Sequence, residues 1–455
     1  MAMGRRKTGR QQALFIPAAD LPRTAAHPFY AKLNEVLAGW KFDPFVEDLC
    51  ARFYAEKLGR PSLAPGKYFR LLLVGYFEGI DSERGIAWRC ADSLSLRSFV
   101  GYEIHEACAD HSTISRTRRL IDIETHQAVF QWVLKVLADY DLIQGKTVGI
   151  DATTLEANAA MRSIVRKDTR QNYQEFLTDL AKASGIATPT REDLAKIDKD
   201  RKNKASNDDW ENPHDPDAKI TKMKDGTTHL AHKQEHAVDM DSGAVLAVTI
   251  QPADQGDTTT WRQTVEETWQ NLNAVQDDQR VADKVHPNPV EEAVADKGYH
   301  SNQTMTDLKE LEIRSYVSEP DHGRRNWEDK AAERDAVYAN RRRIRGNRGK
   351  ELSAKRGELI ERSFAHTLET GGMRRVHLRG RINILKRMLI HVGGFDLGLV
   401  MRKLIGKGTP RGLQGAFLRL FGAVFELWMI VLNVWRSLEE SGRKNRPFRL
   451  AGQAA

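Results

Sequence analysis

At Lys146 the apolar residues of this chain change period, and that change constrains the fold more than any other feature. From Pro28 to about Tyr140 they recur every three or four positions, as in FVEDLCARFYAEKL, KYFRLLLVGYF and AVFQWVLKVLADY. This is the spacing of one buried helix face. Pro44, Pro61 and Pro65 separate the segments, and two starts carry cap residues, Asp81-Ser82 before ERGIAWRC and Ser112 before TISRTRRLI. Beyond Lys146, KTVGID reads as a buried strand, Thr147 to Ile150, that ends on Asp151. Strand texture returns in THLAHKQEHAVDM and AVLAVTIQP, joined by the hairpin signal Asp241-Ser242-Gly243. A helix (TTTWRQTVEETWQNLNAVQ), a strand (EEAVAD), a helix (NQTMTDLKELE) and a strand (RSYVSE) follow. That order predicts an α/β domain with a mixed sheet behind an all-α N-terminal domain.

The expected organisation is a basic tail over 1–27, a helical domain over 28–142, a sheet domain over 143–440 and a C-terminal tail over 441–455. Two insertions interrupt the sheet domain, at about 161–220 and 321–356. In the first, NYQEFLTDLAKA and REDLAKIDKDRK read as helices and NKASNDDWENPHDPDAK as an exposed loop. The second is dense in arginine, and a helix from about Gly357 to Leu368 follows it. The most apolar stretch, Leu413 to Trp435, is broken by Arg419 and Glu426 and reads as a buried helix too short in its uninterrupted part to span a bilayer.

A chain of 455 residues can bury two or three cores. Its formal charge of +8 favours a polyanionic partner without naming one. Cys50, Cys90 and Cys108 are scattered and odd in number, so they form neither a disulfide framework nor a zinc site, and a reducing cytoplasm is the expected setting. His229, His232 and His236 lie in strand texture, where only positions an even number apart share a face, which disfavours a zinc site.

Three acids stand out. Asp151 closes the first strand, Asp296 closes the strand in EEAVADKGYHS, and Glu361 sits in RGELIERSFAH. Each has an ordinary reading, as a turn or cap residue for the two aspartates and as a solvent-facing helix charge for the glutamate. Taken together they read differently, because sites in such sheets form beyond strand ends. Three clustered carboxylates repel one another unless cations neutralise them. Mg²⁺ takes oxygen ligands and leaves room for phosphate, and two such ions roughly 4 Å apart serve both oxygens of a phosphoryl displacement. An acid trio on a basic protein therefore points to phosphodiester chemistry on nucleic acid.

The segments GIDATTLEANA, VADKGYHS, and ERSFAH followed by GGMRRVHLRGRINILKRMLIH resemble the DDE transposases of bacterial insertion sequences. The likeness extends from about His27 through Arg402 and includes the ADHSTISR stretch, Ala109 to Arg116. It implies a ribonuclease H-like mixed sheet flanked by helices and preceded by an all-α domain. It also implies Asp151, Asp296 and Glu361 as the catalytic and metal-binding acids, with two Mg²⁺ ions or Mn²⁺ in their place. The implied function is binding of terminal inverted repeats by the helical domain, cleavage at the element end to expose a 3′-hydroxyl, and its transfer to target DNA. No covalent protein–DNA link is needed. The implied partners are double-stranded DNA and a second copy of the chain on that DNA, with no membrane, in a bacterial cytoplasm and at the nucleoid when bound.

One departure bears on DNA contact. Many relatives place Arg four residues before the glutamate and Lys seven after it; here those places hold Gly357 and Leu368, and Arg356 sits one residue early. Arg362, Arg374, Arg375 and Arg379 are available substitutes, and Glu358 and Glu351 are alternative third acids. Candidate DNA-contacting residues are Arg116, Arg118 and Arg119 in STISRTRR, Arg341, Arg342, Arg343, Arg345 and Arg348 in the arginine run, and Arg362, Arg374 and Arg375. Lys297, Tyr299 and His300 either touch DNA or fix the turn after Asp296. Thr153, Glu156 and Asn158 support the first motif at most. Two other readings stay open: an inactive transposase derivative acting as a DNA-binding repressor, and a ribonuclease H-like nuclease without strand transfer.

Overall fold

The helical periodicity before Lys146 is realised as seven α-helices in the computed structural model, which describes residues 27–55, 62–201, 205–223, 226–321, 323, 325–413 and 429. They are α1 (Pro28–Gly39), α2 (Phe42–Cys50), α3 (Pro65–Glu78), α4 (Glu83–Asp92), α5 (Leu94–Val100), α6 (His111–Leu120) and α7 (Ile123–Asp139). Helix α3 is buried at every position from Tyr68 to Phe77, as its run of apolar residues requires. Ser82 caps α4 by accepting from the Gly85 amide, 3.2 Å. The cap of α6 is Asp110 rather than Ser112: its carboxylate accepts from the Thr113 amide at 2.7 Å and from the Ser112 hydroxyl at 2.8 Å. A carboxylate at this position also favours the positive end of the helix dipole.

The strands are β1 (Thr147–Glu156), β2 (Val165–Arg166), β3 (Trp210–Glu211), β4 (Lys219–Lys222), β5 (Thr228–Asp239), β6 (Val245–Pro252), β7 (Glu292–Ala295) and β8 (Arg314–Val317). In the main sheet β5, β1, β7 and β8 lie side by side, and β4 and β6 pair with successive parts of the other edge of β5. The hairpin β5–β6 is antiparallel, while β1, β7 and β8 run parallel. Strand β1 is longer than the sequence predicts. Its parallel pairing with β7 stops at Ile150 opposite Ala295, but antiparallel pairing with β5 continues to Glu156 opposite Ala231. Asp151 therefore lies inside β1 and just beyond the end of its β7 partner.

Helices α8 (Tyr173–Ala183) and α9 (Arg191–Asp200) occupy the first insertion as predicted. The stretch after them is a packed loop, which corrects the exposed loop expected there. Trp210 is buried against Tyr173 and Phe176, with ring centroids 5.1 and 5.4 Å away. Asn212 and Asp215 are fully buried, Asp215 accepting from His232 at 3.1 Å and from the Gly380 amide at 3.1 Å. Polar composition misleads here because the loop's polar groups bond inward.

Helices α10 (Asp257–Gln276), α11 (Asn302–Glu310), α12 (Ala331–Arg345) and α13 (Asn347–Phe364) complete the sheet region. The arginine-dense stretch is thus largely helical, and α13 starts well before Gly357. A π-helical turn, Ala365–Thr370, continues it. Helix α13 covers one face of the sheet, where Leu352 packs with Met240, Val294 and Tyr316. It lies close on β1: a Cβ at Gly149 would stand 2.6 Å from Met240 Sδ and 3.1 Å from Ile360 Cδ1. Helix α10 covers the opposite face, its Thr264 hydroxyl 2.9 Å from that of Thr249.

The last described helix, α14 (Arg381–Ile405), joins the two regions. It packs on α3 and α7 and on β6, where Asp396 accepts from the Val245 amide at 2.9 Å. Lys386 on α14 donates to the carbonyls of Ile121 (2.7 Å) and Arg118 (3.2 Å) and so holds the end of α6. One hydrophobic cluster extends from Phe29 to Met401 across both regions. The expected tails at 1–27 and 441–455 lie outside the described residues except for His27, and so does the apolar stretch Leu413 to Trp435 except for Leu413 and Met429. No helix among the described residues is long and apolar enough to cross a membrane.

Candidate active site

Parallel pairing of β1 with β7 decides where the first two acids go. Ile150 sits opposite Ala295, so Asp151 and Asp296 are the next residues on neighbouring strands. Side chains alternate across a sheet, and Gly149, Asp151 and Val294 share the face under α13, with Asp296 just past the end of β7. Asp296 caps a short 3₁₀ turn, Lys297–Tyr299, its Oδ1 accepting from the Gly298 amide at 2.8 Å. Asp151 Oδ1 accepts from the Ala152 amide at 2.8 Å and Oδ2 from Arg356 Nη1 at 2.7 Å. Burial pushes the Asp151 carboxyl above the usual carboxylate range, and the neighbouring charge of Asp296 adds to the rise. The guanidinium of Arg356 and the Ala152 amide pull the other way. An acid in this position needs a cation, and here Arg356 supplies it.

Glu361 is not brought to this pair. On α13 the residues facing the sheet are Arg348, Leu352, Arg356, Ile360 and Ser363: Arg348 bonds Glu292, Arg356 bonds Asp151, and Ser363 meets His236 Nδ1 at 2.9 Å. One flank of the helix faces the β5–β6 turn through Lys355, 3.7 Å from Asp241, and Leu359, against Gly243. At 3.6 residues per turn Glu361 stands about 120° from Lys355 and about 160° from Leu359. It is exposed on the flank away from that turn, the flank on the Asp151 end of β1. Of the alternative acids, Glu351 is exposed and Glu358 is paired with Arg362. Among the described residues no three His, Cys, Asp or Glu side chains converge on a single metal position.

The basic residues divide into two groups. Arg118 is buried and paired with Glu83 at 2.8 Å, Arg341 makes a bidentate pair with Glu319 at 2.7 and 2.8 Å, Arg343 bonds the Ser315 carbonyl at 2.8 Å, and Arg348 pairs with Glu292. These four candidate DNA contacts are engaged by the protein's own acids and carbonyls. Arg362 is half-exposed and paired with Glu358. Arg116, Arg119, Arg342, Arg345, Arg374 and Arg375 are exposed, with Arg374 beside Glu369 and Arg375 Nε 3.7 Å from Glu156. The histidines form no cluster: His232 pairs with Asp215, His236 with Ser363, and His229 lies 3.8 Å from Glu156.

A family model described as a transposase domain (DUF772) matches residues 19–120, and one described as a transposase DDE domain matches residues 207–393. The chain belongs to the DDE transposases. No curated protein and no solved structure matches it. The DDE-domain match contains Asp296 and Glu361, and Asp151 lies in the interval between the two matches. The mixed sheet with its antiparallel hairpin and three parallel strands is the ribonuclease H-like core of this DDE transposase, preceded by a helical region. DDE transposase domains use divalent metal ions.

The donor chemistry of this site fits such an ion. Two carboxylates on adjacent strands offer hard oxygen ligands of the kind Mg²⁺ takes. Asp151, destabilised as an anion by burial, already holds a guanidinium on one oxygen. Sequence reasoning misses the role of Arg356, noting only its offset from the family pattern. It also misses a polar network behind the pair, the buried Lys233 and Glu235 with the partly exposed Asp257. The available signal is the KQE run, Lys233 to Glu235, in the middle of the strand.

Proposed function

We propose that this chain binds the ends of a mobile element and carries out metal-dependent cleavage and strand transfer there. The observation that carries the reading is the placement of Asp151 and Asp296 side by side at the β1–β7 edge of a DDE-domain core. Asp151 and Asp296 would hold two Mg²⁺ ions, with Mn²⁺ as a substitute, and Glu361, which stands apart from the pair on the flank of α13, would be the third ligand. When bound, the metal lowers the pKa of an attacking water and stabilises charge on the leaving oxygen. The remaining work falls to the chain. Asp151, held by Arg356 through one oxygen, would offer that oxygen to an ion, the turn at Gly298 fixes Asp296, and exposed Arg116, Arg119, Arg342, Arg345, Arg374 and Arg375 would contact the DNA backbone. Pairing of two element ends calls for a second copy of the chain on DNA. The setting is the bacterial nucleoid.

Incubation of the full chain with labelled element-end DNA and a target plasmid tests this. The expected result is nicked and joined products with Mg²⁺ or Mn²⁺ and neither with chelator. Nicking without joining would mean a nuclease lacking strand transfer, and end binding with no cleavage in any metal would mean a repressor.

Arg356 gives a second test, on binding rather than turnover. A hydrogen bond between charged groups contributes about 1.5–3 kcal/mol, and the ion must displace it. Arg356→Gln should therefore tighten Mn²⁺ binding by roughly tenfold, since about 1.4 kcal/mol is a factor of ten. Unchanged or weaker binding by electron paramagnetic resonance titration would show that Arg356 does not compete for Asp151.

A further inference from the structure

Behind the acid pair, on the α10 side of the sheet, a lysine is buried in β5. Lys233 has a side chain only 8% exposed, and its ammonium lies 2.6 Å from Asp257 Oδ1, 2.7 Å from Thr260 Oγ1 and 3.0 Å from Glu235 Oε1. Glu235 is fully buried and accepts from the hydroxyls of Thr260, Thr264 (2.6 Å) and Tyr299 (3.3 Å). Burying the charges of Lys233 and Glu235 costs several kcal/mol per ion, which their mutual attraction only partly repays. Apolar side chains would stabilise the strand as well, so the network calls for another explanation.

Its geometry supplies one. The other oxygen of Asp257 fills the space above Gly298: a Cβ at that position would collide with Asp257 Oδ2 and stand 3.1 Å from Asp296 Oδ1. Gly298 is the residue whose amide holds the Asp296 carboxylate, and Tyr299, next along, is tied to Glu235. The turn is thus fixed at two points of one polar network. Asp257 stands at the first position of α10, and Lys233 prevents it from moving off the turn.

We propose that Asp257, anchored by Lys233, is a positioning residue that fixes the Asp296 carboxylate relative to Asp151 for metal binding. This rests on the reading of Asp296 as a metal ligand. Removing the Asp257 side chain leaves Lys233 balanced by Glu235, so the fold keeps a neutral buried pair while the turn loses its stop.

The test is Mn²⁺ binding by the full chain, followed by electron paramagnetic resonance and accompanied by thermal unfolding. Loss of partners beyond the direct ligands typically costs about 10–100-fold in metal affinity. Asp257→Ala should weaken Mn²⁺ binding by about tenfold with little change in unfolding temperature. Gly298→Ala should weaken it similarly, by driving a methyl group against Asp257. The double variant Asp257→Ala/Gly298→Ala should bind more tightly than either single variant, because the new methyl group occupies the vacated space. A purely structural role predicts no such recovery. Wild-type affinity in both single variants, or additive losses in the double, overturns the proposal; Gly298→Ala decides the matter alone if Asp257→Ala fails to fold. Asp296→Asn serves as the control. If it binds Mn²⁺ like the wild type, the metal-ligand reading fails first, and if it alone loses binding, the positioning role fails by itself.

Discussion

Asp296→Asn is expected to abolish Mg²⁺-dependent end cleavage while leaving end binding within a few-fold of the wild type. An asparagine Oδ1 can still accept from the Gly298 amide, as the Asp296 carboxylate does at 2.8 Å, so the turn keeps its cap. What disappears is the charge that would hold the ion. Metal assistance contributes several kcal/mol at the transition state, and each ~1.36 kcal/mol is tenfold in rate, so the loss should exceed about 10³-fold. On the proposed reading, end binding rests on phosphate neutralisation by exposed arginines, which this substitution leaves in place, and must be compared at one salt concentration. The same change at Asp151 is a less clean probe, because it also removes the partner of Arg356. Cleavage at the wild-type rate by the Asp296 variant would remove that residue from the active site.

The strand order of this protein is legible in its sequence, because periods of two and of three to four residues report which face is buried. Those patterns place β5, β6, β7, β8, α10 and α11, and put Asp151 on a strand and Asp296 directly after one. They cannot show that β1 runs on past Asp151, since that extension depends on pairing with β5, a strand distant in the chain. The same kind of distance hides the partner of Arg356, whose ion pair joins α13 to β1. Asp215, in a stretch of polar composition, reads as solvent-exposed because polar side chains look alike whether they bond water or the Gly380 amide. The arginines show the same blindness to partners. Composition marks Arg118, Arg341, Arg343 and Arg348 only as charges, and the fold reveals the acids and the carbonyl that engage them.

Acid should destabilise this protein well above the usual carboxylate range, and the helix over the active site should be involved. Burial pushes the imidazoles of His126 and His236 down to about 3, and that of His391 well below its ordinary value. A histidine depressed in the folded state binds its proton only on unfolding, so its contribution is present above the unfolded pKa of about 6.5 and is lost as pH falls below it. At about pH 5 that loss is about 2 kcal/mol for each such histidine. Burial of Asp396 acts in the opposite direction, because a carboxyl raised in the folded state is relieved as pH falls. With His126, His236 and His391 set against Asp396, the loss from these four groups between about pH 7 and pH 5 should be on the order of 3 kcal/mol. His236 is the member of the set that touches the site: it lies under α13, with Nδ1 2.9 Å from Ser363 Oγ and its ring stacked 4.3 Å from that of Phe364. Charging it would force α13, which carries both Arg356 and Glu361, off the sheet. Urea unfolding at the two pH values measures the effect, and His236→Gln should reduce the difference between them by about 2 kcal/mol. An equal difference in the variant and the wild type would show that His236 is not buried neutral beneath α13.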